Sequence, residues 1–351
     1  MSETQKSEEA QHLAAARNGD AAQFSELTEP YRRELQVHCY RILGSLHDAE
    51  DLVQETFLRA WRRLDTFEGR ASFRAWLYKI ATNVCLDFLD QQKSRRLLPF
   101  EHRSPSDPKA PILPPSPEIT WLEPFPDEWL GDQSAASPEA HYSDSESISL
   151  AFLTALQTLP PRQRAVLILR DVLDFSANET ADLLGLTVSS VNSALHRGRS
   201  TLSQRYHHIE PEDSTMSPTD EKMQWLLDHF VEAWETADVD GLVALLKADA
   251  AFAMPPSPSW YQGRAAISTF VAGTVFADGG MFSGSAVQRW RLLPTRANGS
   301  PAFAIYQRDE QNNYQSFGLI ALTIVEDKLS QIISFIDSTL PARFGLPTTL
   351  P

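Results

Sequence analysis

The chain has 351 residues, 42% of them hydrophobic, and a formal net charge of −15. That length provides for two or three domains with cores of their own. The acidic balance excludes a free-standing nucleic-acid binder that relies on a basic surface, because phosphate contacts dominate such affinity; contact with DNA would need a local patch or a partner's help.

Residues 10–43 read as helix, with Ala15, Ala16, Phe24, Leu27, Tyr31, Leu35, His38 and Ile42 at three- and four-residue spacing. Pro30 fits the start of a second helix, and Gly44 breaks the pattern. Ser45 and Asp48 fit a capping box for the next helix, whose apolar stripe is Val53, Phe57, Ala60, Trp61 and Leu64. Asp48, Glu50, Asp51, Gln54 and Glu55 crowd its first turns. They suit the positive end of the helix dipole, but they exceed what capping needs, which leaves a partner surface open. A polar loop, FEGRAS (67–72), leads to a helix with Phe73, Trp76, Leu77, Ile80, Ala81, Val84 and Phe88 on one face. Lys79, Asn83, Asp87 and Asp90 form a stripe beside it, and Lys93, Arg95 and Arg96 close it. The two cysteines, Cys39 and Cys85, fall on apolar helix faces and read as buried thiols of a reducing compartment. The polar start and the lack of a membrane-length apolar run point to a cytoplasmic protein without a membrane segment.

Residues 97–147 hold ten of the 23 prolines and ten acids against two bases, Arg103 and Lys109. Proline and charge both resist collapse, so the stretch reads as an acidic, Pro-rich linker. One segment in it, WLEPFPDEWL (121–130), is aromatic enough to be expected to dock somewhere.

Helix returns over 148–208. After Pro160-Pro161 and RQRAVLILRDVL, Ser176 and Glu179 form a capping box, Gly185 makes a turn and Thr187 caps a longer helix. Val191, Leu195 and Leu202 face inward. This is a helix-turn-helix pattern. The outer face carries Ser189, Ser190, Asn192, Ser193, His196, Arg197 and Arg199, and residues 189–206 hold three arginines and no acid. A second linker covers 209–219. Beyond it, helices are expected at 221–236, 240–246 and 264–272, and a strand in AFAMPP. Four alternating segments follow at 285–293, 302–308, 315–325 and 328–336, with turns at Asn298-Gly299 and Glu326-Asp327. That is an α+β domain whose curved sheet wraps a helix.

The motifs DAEDLVQETFLRAW (48–61), FEGRASFRAWL (67–77) and IATN (80–83), with the pattern over 159–199, resemble extracytoplasmic-function (ECF) sigma factors of the sigma-70 family. DVDGLVALLKADAAFAMPP and WYQGRAAISTF in the tail are similar to the SnoaL-like, NTF2-like fold fused to one subgroup. The implied architecture is multidomain: a helical sigma2 domain (10–96), the acidic linker (97–147), a helix-turn-helix sigma4 domain (148–208) and an NTF2-like cone (220–340). The resemblance implies core RNA polymerase and promoter DNA as partners. Asp48, Glu50, Asp51, Gln54 and Glu55 would meet polymerase. Phe67, Glu68, Gly69, Arg70 and Ser72 would capture a flipped base of the minus-ten element, Phe67 by stacking, with Asn83 beside the melted strand and Lys93, Arg95 and Arg96 on phosphates. Ser189, Ser190, Asn192, Ser193, His196, Arg197 and Arg199 would face the minus-thirty-five element. Many relatives carry a base where this chain has Asn192, so its upstream element is expected to differ. The linker reads either as a solvated tether or as a segment lying in a basic polymerase channel.

In the tail, Trp234, Phe252, Met254, Trp260, Tyr261, Phe270, Trp290 and Phe335 are candidates to line a pocket for a small-molecule ligand, or else to be plain core. His229, Asp240 and Asp337 lack an evident acid/base partner, which argues against catalysis, and no metal or cofactor is expected. A cis-acting regulatory role for the tail follows. The rival readings are a helix-turn-helix regulator and a SnoaL-type enzyme with an accessory DNA-binding part.

Overall fold

The computed structural model describes residues 3–92, 95–116, 118–130, 148–209, 220–279, 281–282 and 284–351. These form two compact units: the described residues of Met1–Arg95, Trp129–Ile148 and Phe152–Tyr206, and those of Arg96–Glu128, Ser149–Ala151 and His207–Pro351. Among the described residues no helix is long and apolar enough to cross a membrane.

The first unit is helical. Its helices begin with α1 (Glu3–Arg17), α2 (Ala21–Thr28), α3 (Arg32–Leu43), α4 (Leu46–Arg62) and α5 (Phe73–Gln92). The helix expected to run on from residue 10 breaks at Gly19, where φ is +93°, and Asp20 restarts it by accepting from the N–H groups of Ala22 and Gln23. Pro30 sits in a single 3-10 turn feeding α3. Gly44, at φ +72°, closes α3, and Ser45 Oγ accepts the Asp48 N–H at 3.1 Å to open α4. Leu35, Ile42, Val53, Leu77, Ala81 and both cysteines are buried between α3, α4 and α5. Burial pushes the Cys85 thiol well up. His38 is also buried, its Nε2 2.8 Å from Thr82 Oγ1.

The same unit continues with α6 (Leu150–Gln157), α7 (Pro161–Leu167), α8 (Ala177–Leu184) and α9 (Val188–Ile209). A π-helical turn, Ile168–Val172, extends α7. The expected capping box closes at both ends, Glu179 N to Ser176 Oγ at 3.2 Å and Ser176 N to Glu179 Oε2 at 2.8 Å. Gly185 turns at φ +63°, and Thr187 Oγ1 accepts the Ser190 N–H at 3.1 Å. Buried Arg164 ties this half to α3. Its guanidinium donates to Leu156 O at 3.0 Å, Gln157 Oε1 at 2.6 Å, Leu159 O at 3.1 Å and Ile42 O. Burial, helped by the Arg95 charge, pulls its pKa down to about 9.

The second unit is built on a mixed sheet. β1 (Arg96–Leu97) and β2 (Thr120–Trp121) pair in parallel as a small separate ribbon. The main sheet has β3 (Leu246–Ala253), β4 (Trp260–Gln262), β5 (Trp290–Ala297), β6 (Ser300–Arg308), β7 (Tyr314–Val325) and β8 (Lys328–Phe335), in the order β4-β3-β8-β7-β6-β5. β9 (Thr349–Leu350) pairs with β7. The β3–β8 pair is parallel and the other pairs are antiparallel. Bulges in β7 opposite Ile305–Tyr306 and in β8 opposite Thr323–Ile324 bend the sheet. Gly318 lets β7 approach β8: a Cβ there would stand 2.2 Å from Phe335 O.

α10 (Asp220–Thr236) lies against the sheet, with Phe230 5.7 Å from Phe303 and Trp234 6.2 Å from Trp290. α11 (Val239–Leu245) and α12 (Arg264–Phe270), the latter extended by a π turn, Val271–Val275, complete this helix-and-sheet domain. The strand expected at 285–293 starts five residues later, at Trp290. Residues before it coil instead: Asp278 accepts the Ala286 N–H at 2.7 Å, and Arg289 donates to the carbonyls of Val275, Ala277 and Gly284 at 2.9–3.0 Å.

The expectation of a free linker fails for residues 96–128, which belong to this second unit. Trp260 Nε1 donates to Arg103 O at 2.7 Å, Ser106 N to Trp260 O at 2.8 Å, and Leu113 N to Ser259 Oγ at 3.0 Å. The aromatic segment docks on the β5–β6 turn. Phe125 N donates to Asn298 Oδ1 at 2.9 Å, Asn298 N to Phe125 O at 3.0 Å, and Gly299 N to Asp127 Oδ1 at 2.8 Å. Asn298 adopts the left-handed conformation its Asn-Gly pair predicts, φ +55°. Extended proline-rich backbone docks here because the turn and β4 supply partners for its N–H and C=O groups. Residues 131–147 and 210–219 lie outside the described residues.

Candidate functional site

α4 places Asp48, Glu50, Asp51, Gln54 and Glu55 away from its buried Ala49 and Val53 stripe, all at least partly exposed. Glu55 pairs with Arg59 at 2.7 Å, and Arg59 reaches Asp87 of α5 at 3.1 Å. The α4 acids therefore form one face whose lower end is locked to α5.

The loop that follows differs from its expected role at one residue. Phe67 is only 7% exposed, with its ring 5.4 Å from Phe73 and 5.3 Å from Trp76. Its side chain completes an aromatic core and has no open face for a base. Arg17 donates to its carbonyl, which pins the loop. Glu68, Gly69, Arg70 and Ser72 are exposed, Glu68 and Arg70 as an ion pair. Ser72 Oγ accepts the Ala75 N–H at 3.1 Å and so caps α5.

On α5, Asn83 is half-buried. Its Nδ2 donates to Lys79 O at 2.7 Å and to Leu183 O of α8 at 3.4 Å, and α8 packs on α5. Tyr78 is 5.6 Å from Phe175 at the same seam. Arg95 is exposed, and Lys93 lies outside the described residues. Arg96 departs from the phosphate-binding expectation. It belongs to β1, donates to Trp121 O at 3.2 Å and stands 3.8 Å from Glu123, because β1–β2 pairing turns it onto its own unit.

On α9, Ser189, Ser190, Asn192, Ser193, His196, Arg197 and Arg199 are all exposed, while Val191, Ala194, Leu195 and Gly198 are buried. The inner residues pack on Val166 and Ala181. Ser190 Oγ lies 2.8 Å from Thr187 Oγ1. Arg199 forks onto Asp171 at 2.6 and 2.8 Å, which raises its pKa further.

In the second unit a cavity of about 400 Å³ opens beside α10. Trp234, Phe252, Met254, Phe270 and Trp290, which belong to the domain's hydrophobic core, line it. Three other candidates do not. Trp260 turns to the docked linker, Tyr261 stacks on Phe270 at 4.0 Å, and Phe335 faces a separate cleft with Pro124 and Leu340. Sequence reasoning missed Phe282, Phe317 and the linker residues Ile112, Leu113, Pro114 and Pro115, which complete the wall. The lining contains no acid, histidine, lysine or arginine among the described residues. His229 is exposed, its ring tilted against that of Trp225 at 4.1 Å, and Asp337 accepts from Thr339.

Residues 27–95 match the Sigma-70 region 2 family and residues 149–202 match Sigma-70, region 4. Over 341 residues the chain is 43% identical to the ECF RNA polymerase sigma factor SigG of Mycobacterium tuberculosis (strain ATCC 25618 / H37Rv), covering 96% of this chain and 86% of that protein. The chain belongs to the ECF RNA polymerase sigma factors. Its function is that of a sigma factor in transcription initiation. This sigma factor is also 27% identical over 197 residues to SigW of Bacillus subtilis (strain 168), a stretch that is 56% of this chain and 96% of SigW. The crystal structure of the M. tuberculosis ECF sigma factor SigJ shares its fold, with a TM-score of 0.53 at 20% identity, across 92% of this chain and 99% of that one. Region 2 thus spans α3, α4 and α5 of this sigma factor, and region 4 spans α6–α9. For the linker's part in the tail domain, the readable signal was the aromatic run WLEPFPDEWL within acidic, proline-rich sequence.

Proposed function

We propose that this sigma factor engages core RNA polymerase through the α4 face of Asp48, Glu50, Asp51, Gln54 and Glu55. The exposed loop residues Glu68, Gly69, Arg70 and Ser72, with Asn83 and Arg95, meet the minus-ten element, and the α9 face meets the minus-thirty-five element. Exposure of every predicted α9 residue beside a fully buried inner stripe supports the last assignment. Asn192 favours an adenine edge and Arg197 a guanine.

The tail domain regulates these surfaces in cis and is not an enzyme. The observation that carries this reading is the docking of residues 96–128, which lead from α5 towards α6, on the tail domain. A domain that holds this connection limits how far the two promoter-binding domains can separate. The seam between α5 and α8, where Leu183 O occupies the Asn83 amide, must open before Asn83 can meet DNA. An equilibrium between closed and spread states follows, and the tail biases it by binding the linker in one of them. This favours cis regulation over a linker lying permanently in a polymerase channel.

Run-off transcription by the full-length protein and by a chain ending near residue 210 tests the reading, with a pull-down on core polymerase as the reference. Both forms are expected to bind polymerase stoichiometrically, and to differ in the concentration needed for half-maximal initiation. Equal activity at all concentrations rules out cis regulation. Failure to retain polymerase rules out the α4 assignment.

A further inference from the structure

The tail cavity is nearly all apolar, and one of its walls is not part of the tail domain's own sequence. Residues 112–115, ILPP, lie across it as a strap. Proline at 111, 114 and 115 stiffens that strap in an extended form. Two hydrogen bonds hold it: Leu113 N to Ser259 Oγ at 3.0 Å, and Ser257 Oγ to Leu113 O at 2.8 Å. Ser257 itself lines the cavity, so the wall and its latch meet at one residue.

The lining sets the polarity of an occupant. The polar groups of its side chains, apart from the Trp indole N–H groups, are the hydroxyls of Ser257, Thr274 and Ser334. With no charged side chain lining it, the cavity would desolvate an ionised ligand without compensation.

We propose that this cavity binds a neutral, largely apolar ring compound. The strap 112–115 closes over it, so occupancy and linker docking are coupled. Phe252, Phe270, Phe282, Phe317 and Trp290 supply the aromatic walls. Since the strap belongs to the segment between α5 and α6, an occupant with unequal affinity for the strapped and unstrapped forms shifts the linker between them. The binding site stands independently of how the tail acts on transcription, and its test uses no polymerase.

Full-length protein is titrated with prodan, a neutral naphthyl ketone whose emission reports its surroundings, and with anilinonaphthalene sulfonate as its charged counterpart. Saturable, stoichiometric prodan uptake with blue-shifted emission is expected, with the sulfonate at least tenfold weaker. Thr274, half-exposed on the rim, is changed to Phe to fill the space. T274F, with its melting checked, is expected to lose prodan affinity at least tenfold. S257A removes the latch, and is expected to weaken prodan about fivefold, the weight of one neutral hydrogen bond. Prodan is expected to slow exchange of the Ile112 and Leu113 amides. Unsaturable uptake, or equal binding of prodan and the sulfonate, overturns the site, as does unchanged affinity in a folded T274F. Saturable uptake with unaltered exchange at Ile112 and Leu113, or with unaltered affinity in S257A, overturns the strap.

Discussion

Replacing Asp127 with Ala tests whether the linker is held by the β5–β6 turn. Asp127 is buried and accepts from Gly299 N at 2.8 Å and Arg296 Nε at 3.1 Å. The Arg296 side chain is 59% exposed, so its ion pair contributes little, about 0–1 kcal/mol. The Gly299 bond is charge-assisted, and removing its acceptor costs about 1–3 kcal/mol. Desolvation of the carboxylate opposes this gain. Burial is the largest influence on the Asp127 carboxyl and holds it above its ordinary range, against Gly299 and Arg296. With that opposition the net loss is about 0.5–1.5 kcal/mol, which corresponds to roughly 2- to 12-fold in the docked-to-undocked ratio. Hydrogen exchange of amides 121–128 in full-length protein measures that ratio. The sign with pH follows from the raised pKa. The docked state binds the proton more tightly, so the Asp127 contribution is fullest below the unfolded value, about 3.9, and is lost as pH rises through the docked value. Asp127→Asn is expected to flatten that dependence. Unchanged exchange in Asp127→Ala, with the overall fold intact, refutes the docking argument.

Two further outcomes concern the helical unit. Arg197→Ala is expected to weaken minus-thirty-five DNA binding by about 1–3 kcal/mol and relax specificity at one base, whereas Arg199→Ala, already paired with Asp171, is expected to do less; Asp171→Ala, by freeing Arg199, should strengthen binding and steepen its salt dependence, as read by fluorescence anisotropy at several salt concentrations. His38 has its pKa pulled down to about 3 by burial first, then by Arg41 and Arg74. Its neutral form is favoured in the folded state, so stability is lost as pH falls from about 6.5 towards 3, by roughly 3–5 kcal/mol, and His38→Gln is expected to blunt that loss in thermal melts.

The sequence by itself determined the local grammar of this sigma factor. Ser176 with Glu179, Gly185 and Thr187 specified the helix-turn-helix, because caps and a left-handed turn act over three or four residues. Period and polarity identified the α9 outer face, and Asn298-Gly299 identified the β5–β6 turn. Gly19 with Asp20 carried a readable break that the apolar spacing over 10–43 masked. Long-range partners were not legible. Phe67 looked like a stacking platform, yet it closes a core with Phe73 and Trp76, residues whose rings meet it only once α5 folds back. Arg96 looked like part of a basic tail, and β1–β2 pairing claimed it. The linker's composition announced proline and charge, which sequence reasoning equates with solvation. Only the tertiary structure brought the turn, the serines and the tryptophan to its backbone, and with them closed one wall of an apolar cavity. Docking of this kind depends on hydrogen-bond partners some 150 residues away, and no local pattern records where they lie.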